Sequence, residues 1–262
     1  MRKKVIILII IAIILTGCSR NIDDLTIKNG ILMIGLEVGY PPMEYIAADG
    51  LTLTGFDVFL GREIAKKLGL EAQFIDTAWD LIFDGVNLEK YDCIISSVTI
   101  TSQRLQNFNF SKPYLQNTLA IVMQKDSNHQ VRSPQDLGGL RVGYQSQTTS
   151  DDYMTELRQK DLVFTQFEYD NIMFCFDDLR FNRLDAVITD IVVGMEYIAR
   201  SDTLEIVWQG EEEEFGICIK KGNDALTQAI NTALDELYED GTLLQISRDF
   251  FNGRNLVSAV RQ

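Results

Sequence analysis

The sequence predicts an α/β fold of two similar lobes, each a mainly parallel sheet flanked by helices. Apolar runs of strand length alternate with segments whose apolar residues recur at helical spacing, the pattern of parallel strands covered by helices. The alternation runs twice, once before about residue 118 and once after about residue 122, each half with its own apolar strands. Near residue 215 a further strand and two helices follow that the second half does not need, so the chain is expected to return to the first lobe.

The elements follow in order. Ile31 to Gly35 is a short apolar strand, and Gly39-Tyr40-Pro41-Pro42 is a turn. Phe56 to Leu68 carries apolar residues at 56, 59, 60, 64, 65 and 68, which is helical spacing, and Gly69 ends it. Strands are expected over Glu71–Ile75, Tyr91–Val98 and Leu119–Gln124, with a short helix over Asp80–Leu88. Ser133 followed by Pro134 starts a short helical turn, because Ser caps and Pro suits a first turn. Strands over 140–144 and 162–167 alternate with helices over 150–159 and 171–181. Ala186 to Asp190 is a strand ending in a carboxylate, followed by a helix through Ala199. A strand over 215–220 and helices over 225–237 and 241–250 close the chain. The Glu211–Glu214 run reads as a solvated loop, with the alternative that it lends negative potential to a nearby site.

At the N-terminus Arg2, Lys3 and Lys4 precede an apolar run of 11 residues, Val5 to Leu15, which suits a signal segment and is too short to span a bilayer. It ends in Leu15-Thr16-Gly17-Cys18, which resembles the lipobox of bacterial lipoproteins; an ordinary secretory signal is the alternative. The resemblance implies cleavage after residue 17, lipid on Cys18, a tether over 18–29 and an extracytoplasmic protein anchored to the outer face of the membrane. Losing three positive charges with residues 1–17 takes the formal charge from −14 to −17. That balance argues against nucleic acid as a partner and against an electrostatic grip on anionic lipid. Cys93, Cys175 and Cys218 each sit in apolar segments and read as small buried hydrophobes. With His129 the only histidine, in a polar loop, no metal site, no cofactor and no His-based catalytic triad is expected.

The stretch richest in chemistry is Ile94-Ile-Ser-Ser-Val-Thr-Ile-Thr-Ser-Gln-Arg104. An apolar strand end runs into hydroxyls at Ser96, Ser97 and Thr99, with a guanidinium a few residues on. A guanidinium holds a carboxylate through two parallel hydrogen bonds, and hydroxyl and carbonyl oxygens accept from an ammonium. Those two groups are the backbone of a free amino acid. A polar loop with a capping Thr101 and a solvated arginine is the plainer reading of the stretch alone.

From Leu32 to Phe251 the chain resembles the extracytoplasmic solute-binding proteins of polar amino acid ABC transporters, family 3. The resemblance rests on Gly39-Tyr-Pro-Pro-Met-Glu44, Leu53-Thr-Gly-Phe-Asp57, Tyr91-Asp-Cys-Ile-Ile-Ser-Ser97 and Thr99-Ile-Thr-Ser-Gln-Arg104. It continues through Phe110-Ser-Lys-Pro-Tyr114, Asp136-Leu-Gly-Gly-Leu-Arg-Val-Gly143, Arg183-Leu-Asp-Ala-Val-Ile-Thr-Asp190 and Asp240-Gly-Thr242. It implies the type II periplasmic-binding-protein fold, with residues 30–118 and 217–252 in lobe one, 122–212 in lobe two, hinges at 118–122 and 212–217, and a C-terminal tail over 253–262. It also implies a monomer that binds one amino acid between its lobes and delivers it to a permease. By the resemblance Arg104 takes the ligand α-carboxylate and Asp190 the α-ammonium. Ser96, Ser97, Thr99, Thr148 and Thr149 complete a polar shell, and Tyr40 and Trp79 flank the ligand side chain. The plainer alternatives are that Asp190 caps the next helix, that Tyr40 and Trp79 are core aromatics, and that Thr148 and Thr149 are only an N-cap pair.

Glu37 stands where relatives that bind basic amino acids are commonly acidic. A carboxylate beside Tyr40 and Trp79 suits a cationic side chain through charge pairing and cation–π attraction, so arginine or lysine is expected. Cystine or a polar neutral amino acid is the competing ligand, and Glu37 facing solvent the plainer reading. Gln147 departs from the glycine usual before the threonine pair, so its amide is expected to adopt a tolerated conformation and enter the cleft beside Gln145. A dehydratase-like enzyme on the same fold is the alternative of another class. It is disfavoured because Arg104 and Asp190 are better explained as a clamp on a zwitterion than as an acid and base.

Overall fold

A computed structural model describes residues 25–258. The signal segment, Cys18, most of the tether and the end of the tail lie outside the described residues. The first sheet contains β1 (Ile31–Leu36), β4 (Glu71–Asp76), β5 (Cys93–Ile94), β6 (Phe108–Phe110) and β12 (Cys218–Lys220), in the order β4-β1-β5-β12-β6. The second contains β7 (Leu115–Gln124), β8 (Arg141–Gln145), β9 (Thr165–Tyr169), β10 (Ala186–Asp190) and β11 (Leu204–Phe215), in the order β11-β7-β10-β8-β9. A small antiparallel pair, β2 (Tyr45–Ile46) and β3 (Leu53–Thr54), sits outside both.

Both sheets are α/β sheets as expected, and both are mixed. β1 runs parallel to β4 and β5, and β8 parallel to β9 and β10. The antiparallel strands are those at the passage between sheets: β7 pairs antiparallel with β10 and β11, and β12 with β5 and β6. A chain that crosses from one sheet to the other and back enters each without a helical crossover, so it need not run parallel. β7 and β11 are the longest strands, and they pair from Leu204 opposite Gln124 to Phe215 opposite Leu115.

Helices α1 (Phe56–Lys67), α2 (Trp79–Asn87), α3 (Ser102–Asn107), α7 (Asp224–Glu239) and α8 (Thr242–Phe250) accompany the first sheet. Helices α4 (Thr149–Gln159), α5 (Ile172–Arg180) and α6 (Ile191–Ala199), with a 3-10 turn at Pro134–Leu137, accompany the second. α1 forms because Phe56, Val58, Leu60, Ile64 and Ala65 line one buried face. Its N-cap, Gly55, has φ +127, and a Cβ there would lie 2.1 Å from the Met43 carbonyl oxygen, so only glycine lets the helix start against that chain. One buried cluster takes in both sheets, from Leu32 and Ile34 to Val122 and Val187. The three cysteines are buried and free, as expected.

Several local expectations are corrected. The strand expected over Tyr91–Val98 pairs only at Cys93–Ile94, because Ser97 takes φ 50 and turns the chain out of the sheet. The strand expected over 215–220 is two: β11 ends at Phe215 in one sheet, and β12 starts at Cys218 in the other. The Glu211–Glu214 run is not a loop but the end of β11, with Glu213 directly opposite Asn117. Part of the expected tether is docked, since the Ile27 amide donates to Asp92 Oδ1 at 2.7 Å. The start of the tail is docked too: Val257 bridges Leu115, and Ser258 is buried. Among the described residues no helix is long and apolar enough to cross a membrane.

Candidate functional site

A cavity lies between the two sheets, lined by Glu37, Tyr40, Glu44, Trp79, Ser96, Ser97, Thr99, Arg104, Gln145, Thr148, Thr149 and Asp190. The structure therefore brings together every side chain expected at the site except Gln147, and it adds Glu44. Glu37 follows β1, Trp79 opens α2, and the 96–104 loop and helix follow β5, so one wall is made of strand ends of the first sheet. Gln145 ends β8, Thr148 and Thr149 open α4, and Asp190 ends β10, so the facing wall is made of strand ends of the second. Strand ends in α/β sheets are where backbone polar groups are free and side chains converge.

Arg104 is half-buried, and its Nη1 donates to the Thr99 carbonyl at 2.9 Å. Its guanidinium carbon lies 5.7 Å from the Trp79 ring centre and 5.1 Å from that of Phe83. Among the described residues it makes no ion pair, and burial holds its pKa below the ordinary value. A guanidinium with one internal hydrogen bond keeps donors for an incoming anion. Thr101 does cap α3, accepting from the Arg104 amide at 3.1 Å.

Asp190 stands at the N-cap position of α6, yet its side chain makes no capping bond. Oδ2 accepts from the Tyr40 hydroxyl at 2.5 Å and Oδ1 from Asn117 Nδ2 at 2.6 Å. Burial pushes its pKa up to about 6 against the opposing pull of those donors and of Arg104. Tyr40 is half-buried and bridges the two walls through this bond, so it is more than a core aromatic.

Glu37 does not face solvent: it is 7% exposed, and its carboxylate lies at the cavity. Oε1 accepts from the Trp79 amide at 3.2 Å and Oε2 from Gln145 Nε2 at 2.6 Å. Desolvation outweighs both bonds and raises its pKa to about 7. Its amide donates to Ser96 Oγ at 3.1 Å, and that hydroxyl donates to Glu44 Oε1 at 2.6 Å. The Ser97 amide and hydroxyl donate to Asp57 Oδ2 at 2.7 and 3.3 Å. The serine hydroxyls thus brace the loop against buried carboxylates, while Thr99 lines the cavity and also reaches Glu213.

Gln147 corrects an expectation. It adopts φ 59, the left-handed conformation that glycine usually supplies, but its side chain is exposed and does not line the cavity. Its backbone is what counts: the carbonyl accepts from Trp79 Nε1 at 3.0 Å across the cleft, and the amide donates to Asp151 Oδ2 at 2.8 Å. Thr148 is the N-cap of α4 by position, but its hydroxyl turns back to the Gln145 carbonyl at 2.7 Å.

Sequence reasoning missed Glu44, Asp57, Asn117 and Glu213. Glu44 and Asp57 lay inside quoted motifs, where an acidic residue among apolar neighbours was the available signal. Asn117 carried none and Glu213 only the negative charge of its run, because the two meet only when β7 pairs with β11.

Comparison with known proteins agrees with this geometry. The family model described as bacterial extracellular solute-binding proteins, family 3, matches residues 32–253. The L-cystine-binding protein TcyJ of Escherichia coli strain K12 is 32% identical over 226 residues, 86% of this chain and 84% of that protein. ABC transporter arginine-binding protein 1 of the same strain is 30% identical over 223 residues, covering 83% of this chain and 89% of that one. The structure of an ancestral arginine-binding protein bound to arginine superposes with a TM-score of 0.81 at 35% identity, covering 85% of this chain and 99% of that one. The chain belongs to the family 3 bacterial extracellular solute-binding proteins, and so is a binding protein rather than an enzyme.

Proposed function

We propose that the protein captures a free amino acid between its two lobes outside the cell and hands it to an ABC permease, and that arginine or lysine is the ligand. Arg104 would take the α-carboxylate, with the N-terminal turn of α4 facing it from the other lobe. Asp190 would take the α-ammonium, and at about 4 Å and an effective dielectric near 20 such a contact contributes roughly 4 kcal/mol before desolvation. The clamp groups belong to different lobes, so a ligand that satisfies both holds the cleft shut. The lobes at 30–118 with 217–252 and at 122–212, and the hinges at 118–122 and 212–217, belong to this proposal. So does a lipid anchor at Cys18.

The observation that carries the ligand assignment is Glu37, a buried carboxylate at the cavity whose partners are neutral donors only. Burying a charge is costly unless it is paired, and a cationic side chain would supply the pair. A second reading is cystine: Gln145 and the Trp79 amide already satisfy both Glu37 oxygens, and the far end of cystine, a zwitterion of no net charge, would bring its second ammonium to that carboxylate.

The test is thermal unfolding of the purified protein with each of the twenty amino acids, cystine and ornithine. A ligand at 100 times its Kd stabilises by about 2.7 kcal/mol. Arginine or lysine alone should give a large shift, and Glu37→Gln should reduce it. A large shift with cystine or a neutral amino acid, kept in Glu37→Gln, would discard the cationic assignment and retain amino acid binding.

A further inference from the structure

Glu213 lies on β11, directly opposite Asn117 of β7, two residues from the ends of these strands, beyond which the chain passes to the other sheet. Within the run Glu211 and Glu212 are exposed, whereas Glu213 and Glu214 are half-buried. Glu213 Oε2 accepts from Asn117 Nδ2 at 3.3 Å and from Thr99 Oγ1 at 3.4 Å. The same Asn117 nitrogen donates to Asp190 Oδ1 at 2.6 Å, and the same Thr99 offers its carbonyl to Arg104 at 2.9 Å. One carboxylate therefore stands one residue away from each half of the clamp. The backbone reinforces the link, because the Ile100 amide donates to the Glu214 carbonyl at 2.9 Å and the Gly216 amide to the Val98 carbonyl at 3.0 Å.

Stability of the empty protein does not explain this placement. The charged groups acting on Glu213 are Asp190 from β10, which repels it, and Arg104 from α3, which attracts it. Burial and Asp190 together outweigh Arg104 and both hydrogen bonds, and its pKa rises to about 7. An acid held half-buried beside another acid costs stability until a cation arrives. The ligand α-ammonium is such a cation.

We propose that Glu213 is a positioning residue for the amino-group end of the site, holding Asn117 and Thr99 so that Asp190 and Arg104 face the ligand. The inference rests on the reading that Asp190 receives the α-ammonium. It makes binding proton-linked at the strand crossing: the arriving ammonium favours ionised Glu213, so capture releases protons there.

The experiment is calorimetric titration with L-arginine at pH 6 and pH 8 of the wild-type protein and of Glu213→Gln, Asn117→Ala, Asp190→Asn and Glu212→Gln. The same titrations with L-cystine serve if that is the amino acid bound, since it shares the α-ammonium. Glu213→Gln should weaken binding at pH 8 by roughly 10-fold, equivalent to one pKa unit of interaction. It should also lose part of the tightening from pH 6 to pH 8 and show no loss of unliganded thermal stability. Added to Asn117→Ala it should have little further effect, and Glu212→Gln should behave as wild type. If Glu213→Gln keeps wild-type affinity and pH dependence while Asp190→Asn loses binding, the positioning role is overturned and the amino acid reading stands. If Asp190→Asn binds normally, both fall. A Glu213→Gln protein whose unliganded melting temperature drops along with its affinity would also overturn the proposal, by making Glu213 a structural residue.

Discussion

Arg104 shows how one residue combines two demands. Its stem and guanidinium are walled by Trp79 and Phe83, and one nitrogen is tied to the Thr99 carbonyl, so the remaining donors are pre-aimed. A lysine there would keep a charge but lose the planar fork and the ring contacts. Arg104→Lys should weaken ligand binding roughly 10-fold or more, since one hydrogen bond to a charged group contributes about 1.5–3 kcal/mol. Affinity within two-fold of wild type, measured by calorimetry, would show that the carboxylate is held elsewhere. At this scale much was legible. Arg104 drew notice because a cation after a hydroxyl-rich strand end is visible in the residues, while its role and that of Asp190 followed from the family resemblance. Glu44 showed only an acid among apolar neighbours, because the environment that buries it is made by Ser96 and by other carboxylates distant in the chain.

At the scale of elements, the cleft is bridged by bonds between strand and helix ends. Trp79 at the start of α2 donates to the Gln147 carbonyl ahead of α4, and Gln145 at the end of β8 donates to Glu37 beyond β1. Trp79→Phe keeps the ring and removes the indole donor. It should cost closure about 1 kcal/mol and raise Kd several-fold, with little change in unliganded melting temperature. Equal affinity would mean that this bond is replaced by water. Gln147→Gly should leave unfolding free energy within about 1 kcal/mol of wild type, because relief of the left-handed strain is offset by a more flexible unfolded chain. A denaturant titration showing a loss well beyond that would give the Gln147 side chain a role that its exposure does not indicate. The helices were legible from their period, but strand ends were not. Nothing local stops Tyr91–Val98 from pairing throughout; the turn at Ser97 is imposed by the bond of its amide to buried Asp57.

For the whole molecule, the cleft is a store of unfavourable acid. Folding raises the pKa of Glu37 to about 7, Asp57 to about 7, Asp190 to about 6 and Glu213 to about 7, each chiefly through burial. A carboxyl whose folded pKa exceeds its unfolded one binds more protons when folded, so its contribution to stability falls as pH rises between the two values. The unliganded protein should therefore melt at a lower temperature at pH 8 than at pH 5. Below about pH 4 the trend should reverse, as exposed carboxylates with depressed pKa, such as Asp49 at about 2, lose their hydrogen bonds. A cationic ligand relieves the repulsion, so its thermal shift should be larger at pH 8 than at pH 6. A flat melting profile from pH 5 to pH 8 would show that water or ions already compensate these charges.

By itself the sequence determined the α/β alternation, the two sheets, the buried cysteines and most of the residues that converge on the cavity. The first three are written in local terms, as periodicity and apolar runs, while the site residues were reached largely through motifs that resemble the family. Only the tertiary structure decided that the glutamate run is a strand, that Gln147 contributes its backbone rather than its side chain, and that Asn117 and Glu213 bond to site residues. Those outcomes depend on partners brought together from far along the chain by the pairing of β7 with β11 and the approach of one sheet to the other. No local pattern encodes which carboxylate will lose its water when that happens.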